Sequence, residues 1–191
     1  MKKLFWGFFF IYLNFTLNIN QYSLNMIPDF VGYILLIQGA KSLEEESHFF
    51  QGIRPFATGM ALYTAILWLA TLFGVNSGDW LSQLLNLGAM ILALYISWVL
   101  IQGVKDMERS KNAELNGARL YMRWKWLLIV QIAAKVVYLI AKLAEIDTFA
   151  GLSTGLAIAG LYLIVLYLGA WYRGILFWEL MLKESAARIE E

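Results

Sequence analysis

The chain has no cysteine, one histidine, two prolines and charge on only 15% of its 191 residues. Without cysteine there is no disulfide, no thiolate nucleophile, no cysteine-ligated zinc and no iron–sulfur cluster. The single histidine, His48, stands one helical turn after Glu44. One imidazole beside one carboxylate reads as a solvated face, not as a metal site. The sequence holds no phosphate-cradling glycine loop, no H-E-x-x-H and no G-x-S-x-G, and its one histidine gives no credible Ser/His/Asp set. The expected protein is not an enzyme and uses no metal and no cofactor. A net charge of +1 gives no general pull toward nucleic acid.

What the chain has is apolar length. It is 60% hydrophobic, with eight Trp and twelve Phe. A soluble domain is nearer 45–50% apolar and about 25% charged. A chain of this size could not hide the surplus from water, so a bilayer is its expected solvent. Six apolar segments run at about 4–19, 27–43, 56–75, 81–104, 124–146 and 150–178. The connections at 20–26, 76–80 and 147–149 are short and polar, whereas those at 44–55 and 105–123 are longer and charged. This pattern predicts an all-α transmembrane bundle, six helices paired as three hairpins, with residues 1–191 forming one integral membrane domain. The opening MKKLFWGFFFIYLNFTLN mimics a signal peptide, but NINQYSLNMIP follows without an A-x-A-like cleavage site, so a retained first helix is expected. The first two segments are short: sixteen residues rise about 24 Å against a hydrocarbon core of about 30 Å. This first hairpin either thins the bilayer locally or enters without spanning fully.

Lys and Arg set the orientation. Thirteen of the fifteen basic residues fall at the chain start, at Lys41 and Arg54 around the 44–55 connection, between Lys105 and Lys125, and from Arg173 onward, all on one side of the predicted bundle. The opposite loops contain none. Six spans with both termini in the cytoplasm satisfy this distribution. Trp6, Trp124, Trp126 and Trp178 fall at the inner surface and Trp80 at the outer, as headgroup-level anchors do.

The two remaining basic residues, Lys135 and Lys142, lie inside the fifth segment. Gln131, Lys135, Tyr138, Lys142 and Glu145 recur at spacings of four, three, four and three, which puts them on one helical stripe. A charge near the bilayer centre costs about 2.5–3.5 kcal/mol on insertion scales. Lys135 is therefore expected to face the bundle interior with a partner or water, while Lys142 can snorkel outward. Pro28 and Asp29 make a good helix start, with Asn25 or Ser23 as the cap. Asp29 is also the acid expected to meet Lys142 or Lys135.

Helix packing is expected to use the amides Asn14 and Asn18 and small residues at four-residue spacing. Those are Gly151, Gly155 and Ala159, then Ala57, Ala61 and Ala65, then Ala89, Ala93 and Ser97. LIQGAKSLE (36–44) echoes LIQGVKDME (100–108), and Arg173-Gly174 stands at the corresponding place in the last segment. The echo admits two readings, a repeated hairpin or convergence of helix ends that each need a basic anchor and a small residue. Carriers built of three hairpins place a proline and paired charges in each odd helix. Pro28 and Pro55 are not mid-helix, so that likeness stops at the hairpin count.

NMIPDFVGYILLIQG, together with the opening MKKLFWGFFFIYLNFTLNIN and with RPFATGMALYTAI, resembles a group of small bacterial multi-pass membrane proteins that bear a PDF-x-GY element. The resemblance covers residues 1 to 75 or so. It implies a bacterial plasma-membrane location and brings no activity with it. The polar stripe makes translocation of a small solute, an ion or a lipid the leading expectation, with Lys135, Gln131, Tyr138, Lys142 and Asp29 along the pathway. The alternative is a non-catalytic accessory or scaffolding membrane protein. The expected partners are the lipid bilayer and either a second copy of the chain or another membrane protein.

Overall fold

The computed structural model describes residues 1–12, 16–19, 22–25, 28–73, 79–144 and 149–187. Their side chains are described except at 16–19, 22–25, 71, 79–83, 142–144, 149–151 and 153. Helix α1 (Lys2–Tyr12) is followed by strands β1 (Thr16–Ile19) and β2 (Tyr22–Asn25), an antiparallel ribbon in which Thr16 pairs with Asn25 and Ile19 with Tyr22. Then come α2 (Asp29–Lys41), the four-residue α3 (Phe49–Gly52), α4 (Arg54–Leu72), α5 (Asp79–Lys111), α6 (Gly117–Ala144) and α7 (Phe149–Ala187).

Among the described residues, four helical stretches are long and apolar enough to cross a membrane: Phe49–Ala70, Leu84–Lys111, Gly117–Ala141 and Thr154–Ala187. The fold is thus a helical, multi-pass one. The first two expected spans are realised differently. The first segment stops being helical at Tyr12, and Thr16 and Asn18 belong to β1, where a helix to about residue 19 was expected. With 11 and 13 residues, α1 and α2 rise only about 16 Å and 20 Å, less than a hydrocarbon core. Asn14 and Asn20 lie outside the described residues.

Local chemistry explains the short hairpin. Pro28 (φ −68°) fixes the backbone ahead of α2, Asp29 sits in its first turn and Lys41 in its last, each complementing the helix dipole. Pro28 is the N-cap and offers no side-chain hydrogen bond; the side chains of Asn25 and Ser23, expected as caps, lie outside those described. Two glycines then let α1 and α2 touch backbone to backbone. A Cβ on Gly7 would come 2.8 Å from the Gly32 carbonyl oxygen, and one on Gly32 would come 2.7 Å from that of Gly7.

The long helices close into a ring in chain order. α1 packs on α2, α2 on α4, α4 on α5, α5 on α6, α6 on α7, and α7 returns to α1. The ends that carry the basic residues gather on one side, here the basic end. The α5–α6 connection there is tightly built. Glu108 accepts from the backbone N–H of Leu115 (2.8 Å) and Gly117 (2.7 Å). Asn116, in the left-handed region at φ 70°, donates its side-chain amide to the Ala170 carbonyl at 2.9 Å. Ser47 donates to Asp106 at 2.6 Å, and Lys111 pairs with Glu46 at 2.6 Å. The charged 105–123 connection is the end of α5, a turn and the start of α6. Helix α7 runs unbroken past Gly174 to Ala187.

The core occupies only half of this ring. Among the described side chains, none is buried beyond Met60 in α4, before Leu94 in α5, beyond Leu127 in α6 or before Tyr167 in α7. All the large buried groups, including Phe8, Leu36, Phe50, Leu100, Met107 and Trp171, lie toward the basic end.

Candidate functional site: a cleft beyond the core

The ring has six members in its basic half but loses two of them beyond it. Helix α1 ends at Tyr12 and α2 begins at Asp29, while α4 to α7 continue. The ribbon carries the chain between Tyr12 and Asp29, with β2 against α4. The consequence is clearest on α6. Leu120, Leu127 and Tyr138 share one line of the helix, since seven, eleven and eighteen residues are near-whole numbers of turns. Leu120 and Leu127 are buried, yet Tyr138 is 53% exposed. The same change occurs along α5, where Ser97 is buried and Asn86, three turns away, is exposed. The faces that form the core in the basic half are therefore exposed among the described residues of the far half, toward the space, here termed the cleft, that α1 and α2 leave.

The floor of that cleft is polar. Tyr12 and Ser97 share a hydrogen bond of 3.1 Å across the ring. The ring of Tyr167 lies 5.8 Å from that of Tyr12, centroid to centroid. Asp29 and Tyr12 both lie within electrostatic reach of Tyr33. Asp29 Oδ1 is buried without a hydrogen bond among the described residues, whereas the buried Tyr167 hydroxyl lies close to the Trp171 indole N–H and the Ser97 hydroxyl, short of well-formed bonds. Buried polar atoms without full hydrogen bonding are uncommon in a packed core, and their presence near the Tyr12–Ser97 bond makes this region the candidate site.

The walls carry the predicted stripe in part. Gln131 is half-buried, while Lys135 and Tyr138 are exposed. The side chains of Lys142 and the whole of Glu145 lie outside those described. The ionic partner expected for Lys135 is not present: none of the ion pairs among the described residues includes it. Asp29 does not supply one, because α2 and α6 are not neighbours in the ring. Gln131, Lys135 and Tyr138 are thus together on one wall and Asp29 is on the floor. Asn86, Tyr12, Ser97 and Tyr167 were not singled out from sequence as site residues. An amide within an apolar run was the available signal for Asn86; the tyrosines gave none.

Other sequence candidates resolve as structure. Glu44 pairs with Arg54 at 2.8 Å, and no group of three metal-ligating side chains occurs among the described residues. Trp124 donates to the Leu94 carbonyl (3.2 Å), while Trp6 and Trp126 are exposed as interfacial anchors are. A groove of about 550 Å³ at the basic end, between Lys111–Glu114 and the Phe177–Ser185 stretch of α7, has a mostly polar lining that includes Lys111, Glu114 and Glu184. Comparison with protein-family models, curated proteins and solved structures gives no match.

Proposed function

We propose that this protein takes a small polar solute or ion into the far-end cleft and passes it across a bacterial plasma membrane, with the basic end in the cytoplasm. One observation carries the reading. The bundle is sealed by its core in the basic half and open in the other, and the boundary between them is a polar layer. In this reading Asn86, Gln131, Lys135 and Tyr138 line the entry, and Tyr12, Asp29, Ser97 and Tyr167 receive the solute. An exposed lysine at mid-depth is tolerable where water reaches it and costly in lipid. Lysine on the wall and a carboxylate on the floor suit a solute with charge or strong hydrogen-bonding groups.

The absence of native cysteine makes the test direct. Single cysteines at Asn86, Gln131 and Tyr138 react with a membrane-impermeant thiol reagent in intact cells. Cysteines at Ile129 and Val136, on the opposite side of α6, do not. Equal protection at all five positions overturns the reading.

A second reading, an accessory protein that works through helix contacts, has its own observation. Gly155, in the expected Gly151–Gly155–Ala159 seam, has nothing within 4 Å of a Cβ placed on it. Among the described side chains nothing covers that position on α7, which leaves it open to a second copy or a partner helix.

A further inference from the structure

We infer that the basic end is closed by three equivalent latches, one per hairpin, and that this ring of latches is the inner gate of the bundle. The inference rests on the translocation reading for its purpose, though not for its geometry. The three hairpins are α1–α2, α4–α5 with α3 leading, and α6–α7. Their second helices repeat one pattern at the basic end, G-x-x-x-x-E: Gly39 to Glu44, Gly103 to Glu108 and Gly174 to Glu179. The third copy is invisible as sequence similarity, since RGILFWE shares only its glycine and glutamate with QGAKSLE and QGVKDME.

The structure gives each position the same job three times. Three residues before the glycine stand Leu36, Leu100 and Trp171, all fully buried. The glycine lets its helix approach the head of its own hairpin. A Cβ on Gly39 would meet Leu4 (2.7 Å), one on Gly103 the ring of Phe50 (2.7 Å), and one on Gly174 the Leu115 carbonyl oxygen (3.0 Å). The glutamate five residues on reaches the head of the next hairpin around the ring. Glu44 binds Arg54 at 2.8 Å, and Glu108 accepts from the N–H groups of Leu115 and Gly117. Glu179 binds Lys2 at 2.7 Å. This last contact joins opposite ends of the chain, so connectivity does not bring it about; it closes the circle.

Helix-end ion pairs are common and mostly decorative, and the two that join side chains here are partly or largely exposed. Three contacts with one spacing and one direction around the ring form a different object, though their partners differ: an arginine, two backbone N–H groups and a lysine. Among the described residues they join each hairpin to the next at the basic end, with Lys111–Glu46 and Ser47–Asp106 as further ties between the first link and α5. Exposed pairs are individually weak, so such a ring can hold a closed state and still release it.

The test uses Val104→Cys, a near-isosteric reporter at a fully buried position beside Gly103. Inverted membrane vesicles present the basic end to a membrane-impermeant maleimide. In E44Q/E108Q/E179Q the labelling rate should rise about ten-fold, as the open population rises. Lys2→Glu alone should raise it as well, and Lys2→Glu with Glu179→Lys should return it to the parent rate. Should the triple variant not fold, the surface charge swap decides alone. Labelling unchanged by Lys2→Glu, or a rise that the swap does not reverse, overturns the gate. These rates are independent of the far-end cysteines: protection at Gln131 with a responsive Val104 removes the pathway and leaves the latches, and the converse removes the latches alone.

Discussion

Replacing Lys135 by Met separates three environments for the wall of the cleft. The side chain is exposed, belongs to none of the ion pairs among the described residues and sits ten residues, about 15 Å, into the membrane from Lys125. If water fills the cleft, as proposed, the ammonium is solvated and its removal resembles a surface substitution, within about ±0.5 kcal/mol. If the face instead lies against lipid tails, Met relieves a charge at depth and should stabilise by about 2.5–3.5 kcal/mol. If the lysine holds a buried acid, Met strands that acid and destabilises by about 3–5 kcal/mol. The measurement is equilibrium unfolding of both proteins in lipid nanodiscs, where the hydrocarbon that distinguishes the first two cases is present. A change beyond about 1 kcal/mol in either direction, well outside the surface range, would refute the water-filled wall.

Four further substitutions read the packed half and its boundary. Asn116→Ala should destabilise by about 1–3 kcal/mol, since it removes a buried bond to the Ala170 carbonyl and puts a Cβ-only side chain at positive φ; thermal unfolding measures it. Glu108→Ala should remove two charge-assisted bonds to backbone N–H, with a loss of about 1.5–3 kcal/mol, whereas Glu179→Ala, at an exposed pair, should leave the melting temperature in place. Asp29→Asn should change the melting temperature little, because the dipole stabilisation lost at the start of α2 is offset by the lower cost of burying a neutral amide where Oδ1 has no bond; a clear fall would mean that the carboxylate holds a partner.

Charge and hydropathy made the hairpin order, the four long helices and the gathering of basic residues legible, because each depends on composition summed over twenty residues. Features decided by a few residues were harder to read. The ribbon was present in the sequence as strict alternation, Thr16-Leu17-Asn18-Ile19 and Tyr22-Ser23-Leu24-Asn25 around a two-residue link. The long apolar run before it favoured helix and concealed that period of two. The stripe of Gln131, Lys135 and Tyr138 was correctly drawn on one face, yet helical periodicity assigns the same direction to Leu127 and Tyr138. It cannot say that two of the six neighbours stop between them. The echo of residues 36–44 and 100–108 pointed to the latches, but the third copy needs Glu179 beside Lys2, and only the fold brings those together.

Two glycine-to-alanine substitutions test this division of the bundle into a packed and an open half. By sequence, the Gly151–Gly155–Ala159 series looks the better packing seam, while Gly32 is an isolated glycine in an apolar helix. The structure reverses that order. At Gly32 an added Cβ would lie 2.7 Å from the Gly7 carbonyl oxygen and 3.2 Å from the Ile11 nitrogen, both backbone atoms that no rotamer change can withdraw. α1 must move off α2, and overpacking of this kind costs about 1–3 kcal/mol. At Gly155 the Cβ meets nothing within 4 Å, so only intrinsic preference acts, and Ala should stabilise the helix by up to about 1 kcal/mol. Unfolding measured for both variants at low protein-to-lipid ratio should therefore give changes of opposite sign. Destabilisation by Gly155→Ala would mean that a neighbour from outside this chain already occupies the seam. Loss of a self-associated species in the same variant would identify that neighbour as a second copy. The far half would then be an interface, and the accessory reading would replace translocation.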